Sequence, residues 1–184
     1  RHQVIIATKV GHEHMRPTDL RQACENSLLN LGMDTIDLYY LHWPNWEVPF
    51  AETMGEMNRL REEGKIRFAG CSNFGAHDLP ALLEVSRVEI NQLAYSLLFR
   101  AIETEIVPTC LRHTVSVAAY SPLLHGILTG KFRSLADIPP GRSRTRHFSS
   151  QRPMTRHGGS GAEPETAQAL DAIARICDDA GLPM

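Results

Sequence analysis

The sequence predicts a parallel α/β fold, and within that class a (β/α)8 barrel of which about five of the eight strands are present. Three observations carry this reading. Apolar, β-branched runs alternate with helix-period segments at roughly 25 to 30 residues per unit, the rhythm of parallel strands joined by helical crossovers. No G-x-G-x-x-G follows the first strand, which disfavours an open doubly wound sheet. Polar or aromatic side chains stand where the strands end, the position at which barrels assemble their chemistry.

Each element has its own local reason. Val4-Ile-Ile-Ala-Thr-Lys9-Val10 is a continuous apolar run broken by Gly11, so it predicts a buried strand with a lysine near its exit. Thr18 is read as an N-cap with Asp19 in the first turn, and Leu20, Ala23, Ser27, Leu28 and Leu31 form one helical face that Gly32 ends. Ile36 to His42 is the next strand, stopped by Trp43-Pro44. A helix from about Phe50 to Glu63 follows, with Phe50, Met54, Met57 and Leu60 inward and Gly64 after its end. Ile66 to Cys71 is a third strand, and Ser72-Asn73-Phe74-Gly75 a polar turn directly after it. Leu79, Leu82 and Leu83 mark a short helix, Val88 to Leu93 a fourth strand, Ile106, Val107, Cys110 and Leu111 another helix, and Val115 to Tyr120 a fifth strand closed by Ser121-Pro122. From Lys131 to Gly161 the pattern gives way to a long basic loop, with Arg133, Arg142, Arg144, Arg146, Arg152 and Arg156 against the single acid Asp137. Such a loop is either a solvated excursion or a flap over an anionic ligand, since guanidinium forks match phosphate geometry. Glu163 to Ala180 is a final helix, with Ala167, Leu170, Ile173, Ala174 and Cys177 on one stripe and Gly181 as its cap.

Composition narrows the function classes. At 184 residues and 42% hydrophobic content the chain builds one sizeable core. A formal net charge of -2 gives no bulk attraction to nucleic acid or an anionic membrane. Cys24, Cys71, Cys110 and Cys177 are far apart with no C-x-x-C pair, which argues against a zinc ribbon or a secreted disulfide framework and fits a reduced, cytoplasmic compartment. No apolar run reaches the roughly 20 residues of a membrane helix, and Arg1-His-Gln does not open a signal peptide. A metal-dependent hydrolase finds little support, because His12 and His14 lack an accompanying carboxylate and histidine set. The chain starts without Met, runs directly into a strand and stops just after a helix, so residues 1–184 are expected to be a barrel truncated at both ends.

Lys9, His42, Ser72 with Asn73, and Tyr120 with Ser121 stand at four strand exits, and Gln92 lies close to a fifth. In a parallel barrel these exits share one face, so residues distant in sequence converge on one pocket. The loop aromatics Trp43, Trp46 and Phe148 are candidates to line it.

The segments Ala7-Thr8-Lys9, Ile36-Asp-Leu-Tyr-Tyr-Leu-His42, Gly64-Lys-Ile-Arg-Phe-Ala-Gly-Cys-Ser72-Asn73-Phe74, Asn91-Gln92-Leu-Ala-Tyr95, Ala119-Tyr120-Ser121-Pro122-Leu123 and Gly126-Ile-Leu-Thr-Gly-Lys131, in this order and spacing, resemble the aldo-keto reductases, and most of all the long bacterial type related to the potassium-channel β subunits. The resemblance implies reduction of an aldehyde or ketone by NADPH, with a catalytic Asp, Tyr, Lys and His. It assigns Lys9 and His42 to the last two roles. It assigns Ser72, Asn73 and Gln92 to the nicotinamide carboxamide, Tyr120 to stacking on the nicotinamide ring, and Ser121, Pro122, Leu123, Gly126 and Lys131 to the pyrophosphate loop. His125 stands where many relatives carry a small residue. The Asp and Tyr are expected outside these 184 residues, and with them the segment that selects the adenosine 2′-phosphate. The fragment by itself is therefore expected to be inactive. The alternative is a noncatalytic NADP(H)-binding regulatory subunit of the same fold.

Overall fold

A computed structural model describes residues 3–132 and 134–184; Arg1, and Arg133 of the basic run, lie outside the described residues. The chain divides into two compact units. The first comprises the residues up to Ala94 together with Ala101–Tyr120, and the second Tyr95–Arg100 with Ser121–Met184.

The first unit alternates strand and helix: β1 (Ala7–Val10), α1 (Pro17–Leu31), β2 (Ile36–Leu41), α2 (Phe50–Glu62), β3 (Ile66–Ser72), α3 (Asp78–Val85), β4 (Ile90–Ala94), α4 (Ile106–His113) and β5 (Ser116–Tyr120). All five strands pair in parallel, in chain order. Sequential order with a helix in every connection is the barrel arrangement, without the switch point of a doubly wound sheet. Strand alternation then sorts the side chains. Tyr39, Leu41, Ala69 and Cys71 pack against Leu20, Cys24, Met54, Met57, Leu60, Leu79 and Leu82 of the helices. The opposite face carries Lys9 opposite Tyr40, Tyr40 opposite Gly70, Ser72 opposite Gln92, and Ala94 opposite Tyr120.

Local chemistry sets the boundaries, and several differ from expectation. Val4 and Ile5 are 57% and 78% exposed, because the paired strand begins only at Ala7; an apolar run alone does not show where the ladder starts. Helix α1 begins at Pro17, with Arg16 rather than Thr18 at the N-cap, since proline's fixed φ and missing N–H suit the first helical position. Its buried residues are Leu20, Cys24 and Leu28, an i, i+4, i+8 stripe, while Leu31 falls off the end of that stripe and is exposed. Leu111 of α4 also faces out, beside the buried Cys110. Gly32 closes α1 at φ 61°, with Met33 N–H donating to the Leu28 carbonyl, the six-to-one bond of a Schellman cap. Between α1 and α2 the buried carboxylate of Glu56 is held by the Arg21 Nε at 2.7 Å and the Arg59 Nη1 at 3.0 Å.

In the second unit Leu124, Ile127, Leu128, Ile138 and Phe148 form a small core, with Leu170 and Ile173 of helix α5 (Glu163–Asp179) packed on it. The basic segment is not a structureless excursion: it contains 3-10 turns at Leu135–Asp137 and Pro140–Arg142. It is tied back on itself by the Ser150 N–H to Gly159 O bond at 3.0 Å and the Ala162 N–H to His147 O bond at 3.1 Å. Phe148 is fully buried and plugs this small core. Arg152 pairs with Glu163 rather than facing a ligand.

Candidate active site

In the first unit, Lys9, His42, Ser72, Asn73 and Tyr120 lie at or near the C-terminal ends of the strands, and Gln92, in the middle of β4, lies opposite Ser72 at the end of β3. The half-buried Lys9 holds its ammonium 5.2 Å from the centre of the Tyr40 ring, a cation–π contact that keeps the charge in an otherwise apolar place. Room for that ring comes from Gly70, where a Cβ would lie 2.8 Å from the Tyr40 ring carbons. Burial raises the Tyr40 phenol above its ordinary range, with a smaller contribution from Cys71. His42 follows β2 directly; its N–H donates to the Val10 carbonyl at 3.0 Å and its side chain is exposed beside the half-exposed Trp43.

Asn73 joins these strand ends. It adopts φ 63°, a left-handed conformation that asparagine tolerates better than most residues. Its Nδ2 donates to the His42 carbonyl and to the Ser72 Oγ, both at 3.1 Å, and its Oδ1 accepts from the Tyr120 hydroxyl at 2.8 Å. Its backbone N–H and the Ser72 hydroxyl both donate to the Gln92 carbonyl, at 2.9 and 3.0 Å. One side chain thereby links β2, β3 and β5, and its backbone adds β4. Sequence reasoning placed Asn73 in the site without showing this linking role; its signal is an asparagine at the strand-to-turn junction. Burial raises the Tyr120 phenol, which keeps it a proton donor to Asn73.

Two acceptor or donor positions remain open here. The half-buried Gln92 side-chain amide makes no hydrogen bond among the described residues, and Asn73 Oδ1 has a second lone pair. An amide donor–acceptor pair beside an asparagine acceptor fits a carboxamide, the polar handle of a nicotinamide ring.

In the second unit, Ser121, Pro122, Leu123 and Gly126 lie in one tight turn, which leads to Lys131. Ser121, Leu124, His125 and Gly126 all have positive φ, at 53°, 44°, 55° and 87°. A Cβ on Gly126 would lie 2.9 Å from the Lys131 Nζ and 3.2 Å from an Arg142 Nη1, so both cations stand against the backbone of this turn. Arg142 of the basic segment is the arginine that meets this turn. Among the described residues, no group of three or more His, Cys, Asp or Glu side chains is placed to hold a metal ion, and no helix is long and apolar enough to cross a membrane.

Known proteins resemble this chain in sequence and fold. A reductase described as an NADH-specific methylglyoxal reductase, from Escherichia coli, is 35% identical over 83% of this chain and 52% of its own length. The aldo-keto reductase yakc [NADP(+)] of Schizosaccharomyces pombe is 32% identical over 78% of this chain and 46% of its own. The chain thus spans about half the length of these curated relatives. Among solved structures, a glycerol dehydrogenase from Gluconobacter oxydans superposes with a TM-score of 0.77 at 31% identity, over 92% of this chain and 49% of that one. An aldo-keto reductase from Klebsiella pneumoniae in complex with NADPH superposes with a TM-score of 0.67 at 29% identity, over 100% of this chain and 72% of that one. The sequence pattern of the aldo/keto reductase family matches residues 1–184 from end to end, and the chain belongs to that family.

Proposed function

We propose that this chain carries the cofactor-facing part of an oxidoreductase that reduces a small aldehyde or ketone with NADPH. The observation that carries the reading is the gathering of Lys9, His42, Ser72, Asn73, Gln92 and Tyr120 on adjacent strands, with Asn73 bonded to His42, Ser72, Gln92 and Tyr120. The choice of NADPH follows the NADP-linked fission-yeast relative and the NADPH complex from Klebsiella; the relative named NADH-specific makes NADH the control in every assay.

When bound, the nicotinamide supplies the hydride. The chain's own groups orient and polarise. The Gln92 amide and the open lone pair of Asn73 Oδ1 hold the carboxamide, which fixes the ring face presented to the substrate. Tyr120, anchored through its hydroxyl, offers its ring as a wall for the nicotinamide. His42 offers an exposed imidazole to the carbonyl oxygen, and the Lys9 ammonium supplies positive charge where that oxygen gains electron density. Lys131 in the second unit is a cation suited to a phosphate.

The proton is the missing part. Tyr39 faces the helices, Tyr120 is committed to Asn73, and burial holds the proton on Tyr40 beneath Lys9. We therefore propose that the 184-residue chain binds the dinucleotide without turning it over. The test is fluorescence titration with NADPH and NADH, followed by NADPH oxidation with methylglyoxal. Binding without turnover is expected. Turnover above the uncatalysed rate overturns the inactivity, and failure to bind either dinucleotide overturns the cofactor reading.

A further inference from the structure

The turn that follows β3 is held from two sides, and only one of them belongs to the site described above. We propose that Asn91 is a positioning residue for the carboxamide site: from the helix side of the sheet it fixes the turn that carries Asn73, and so governs how tightly the nicotinamide end of a dinucleotide is held. The identity of the ligand rests on the dinucleotide reading above; the hold on Asn73 does not.

The first argument is placement. Asn91 of β4 stands opposite Cys71 of β3, next to the pair formed by Ser72 and Gln92. Strand alternation sends Asn91 and Gln92 to opposite faces of the sheet, Gln92 to the open face and Asn91 toward the helices. There Asn91 is completely buried, in the layer that contains Cys71, Phe74 and Leu79. Its Nδ2 donates to the Phe74 carbonyl at 2.9 Å. The backbone N–H of Asn73, one residue earlier, donates to the Gln92 carbonyl at 2.9 Å. Two successive residues of β4 thus grip two successive residues of the turn, one through its backbone and the other through its side chain. Beyond this grip the Gly75 N–H donates to Asp78 Oδ2 at 2.8 Å, and the buried Phe74 ring lies 5.7 Å from the Phe50 ring. The left-handed Asn73, at φ 63°, is the link between these fixed points, and a conformation of that kind persists where its surroundings enforce it.

The second argument is what the buried amide does for the fold. A carbonyl only accepts, so the Asn91 nitrogen faces Phe74 and the oxygen points elsewhere. That oxygen has no hydrogen-bond partner among the described residues. Leaving a buried acceptor idle costs free energy that an apolar side chain in the same space does not. The contribution of the amide is therefore its bond to the Phe74 carbonyl. Without that bond the carbonyl turns toward other donors, and the adjoining Asn73 moves with its backbone. Asn73 Oδ1, which already accepts from Tyr120, then leaves the position at which it meets a carboxamide.

The experiment compares the full chain with Asn91→Leu, which keeps a branched side chain and removes the donor. Both are titrated calorimetrically with NADPH and with 2′-phospho-ADP-ribose, the same molecule without its nicotinamide. NADPH affinity should fall about five- to thirtyfold, the equivalent of one or two hydrogen bonds, while the nicotinamide-free ligand changes by less than about twofold. Hydrogen exchange at the Asn73 N–H should become about five- to tenfold faster in Asn91→Leu, with the His42 N–H, bonded to Val10 on the far strands, unchanged. Unchanged NADPH affinity, an equal loss for both ligands, or faster exchange at both amides overturns the proposal, the last two by assigning Asn91 to general packing. Faster exchange at Asn73 alone, in a chain whose unsubstituted form binds neither ligand, upholds the hold on the turn and overturns the dinucleotide reading. If Asn91→Leu does not fold, the isotope-labelled unsubstituted chain decides. Asn91 side-chain amide resonances that shift with NADPH and not with 2′-phospho-ADP-ribose uphold the proposal, and resonances indifferent to NADPH overturn it.

Discussion

Asn73 offers the most direct test of how the strand exits are held. Replacing it by glycine keeps the left-handed backbone and removes three side-chain hydrogen bonds, to His42 O, Ser72 Oγ and from Tyr120. At a net value of about 0.5–1 kcal/mol each for partly solvated bonds, the loss is about 2 kcal/mol. Alanine removes the same bonds and adds left-handed strain of about 1–2 kcal/mol, offset by the roughly 0.4–1 kcal/mol of extra chain entropy that glycine loses on folding. Alanine should therefore be about 0.5–1 kcal/mol worse than glycine. Urea denaturation of the three proteins measures both differences, with an unchanged m-value as the check that the same unit unfolds. Both variants should also bind NADPH more weakly, because Tyr120 loses its anchor and the acceptor beside Gln92 is gone. A glycine variant within about 0.5 kcal/mol of the parent chain would refute the linking role. Equal stabilities for alanine and glycine would refute the assignment of strain to this φ.

Three further outcomes follow from the packing. Gly70→Ala places a methyl 2.8 Å from the Tyr40 ring and 2.9 Å from the Ile90 Cγ2, so it should cost about 1–3 kcal/mol in the same denaturation assay, and an unchanged midpoint would show that β2 and β4 yield freely. Tyr39→Phe should be neutral or stabilising by up to about 1 kcal/mol, because the buried hydroxyl has no partner in hydrogen-bond geometry among the described residues; a clear loss of stability would assign it a bond to the neighbouring Ser27 oxygen. Glu63 is held down to about 2 by hydrogen bonds from Arg21 and then Lys65. A carboxylate lowered on folding contributes stability above its ordinary value near 4.5, and that stability is lost as pH falls from there toward about 2. Thermal melts from pH 6 downward should show this acid limb, flattened by Glu63→Gln and by high salt, since the pair is solvent-screened; an identical limb in Glu63→Gln would assign it to other carboxylates.

How far the sequence carries the fold depends on whether a feature is local. Strand β2 is legible because Ile36 to Leu41 is apolar and aromatic apart from Asp37 and Trp43-Pro44 stops it; α2 because Met54, Met57 and Leu60 keep helical spacing and Gly64 ends it. The start of β1 is not, since Val4 and Ile5 have the composition of a strand and only the neighbouring β2 decides that pairing begins at Ala7. The segment after Lys131 is opaque for a related reason: 3-10 turns carry no long apolar period, and Phe148 is buried by contacts remote in sequence. The site divides in the same way. Residue types at strand exits announce Lys9, His42, Ser72, Asn73, Gln92 and Tyr120, because a strand end is a local feature and a parallel sheet brings all such ends together. What those residues do to one another is not local. A glycine inside β3 is a signal of close approach, and the approaching group proves to be the Tyr40 ring beneath Lys9. Likewise Gly126 and Arg142, sixteen positions apart, give no common pattern in the sequence, yet the guanidinium stands 3.2 Å from where a Cβ on that glycine would lie. The positions that sequence reading under-describes are those where one residue is small so that another can come close.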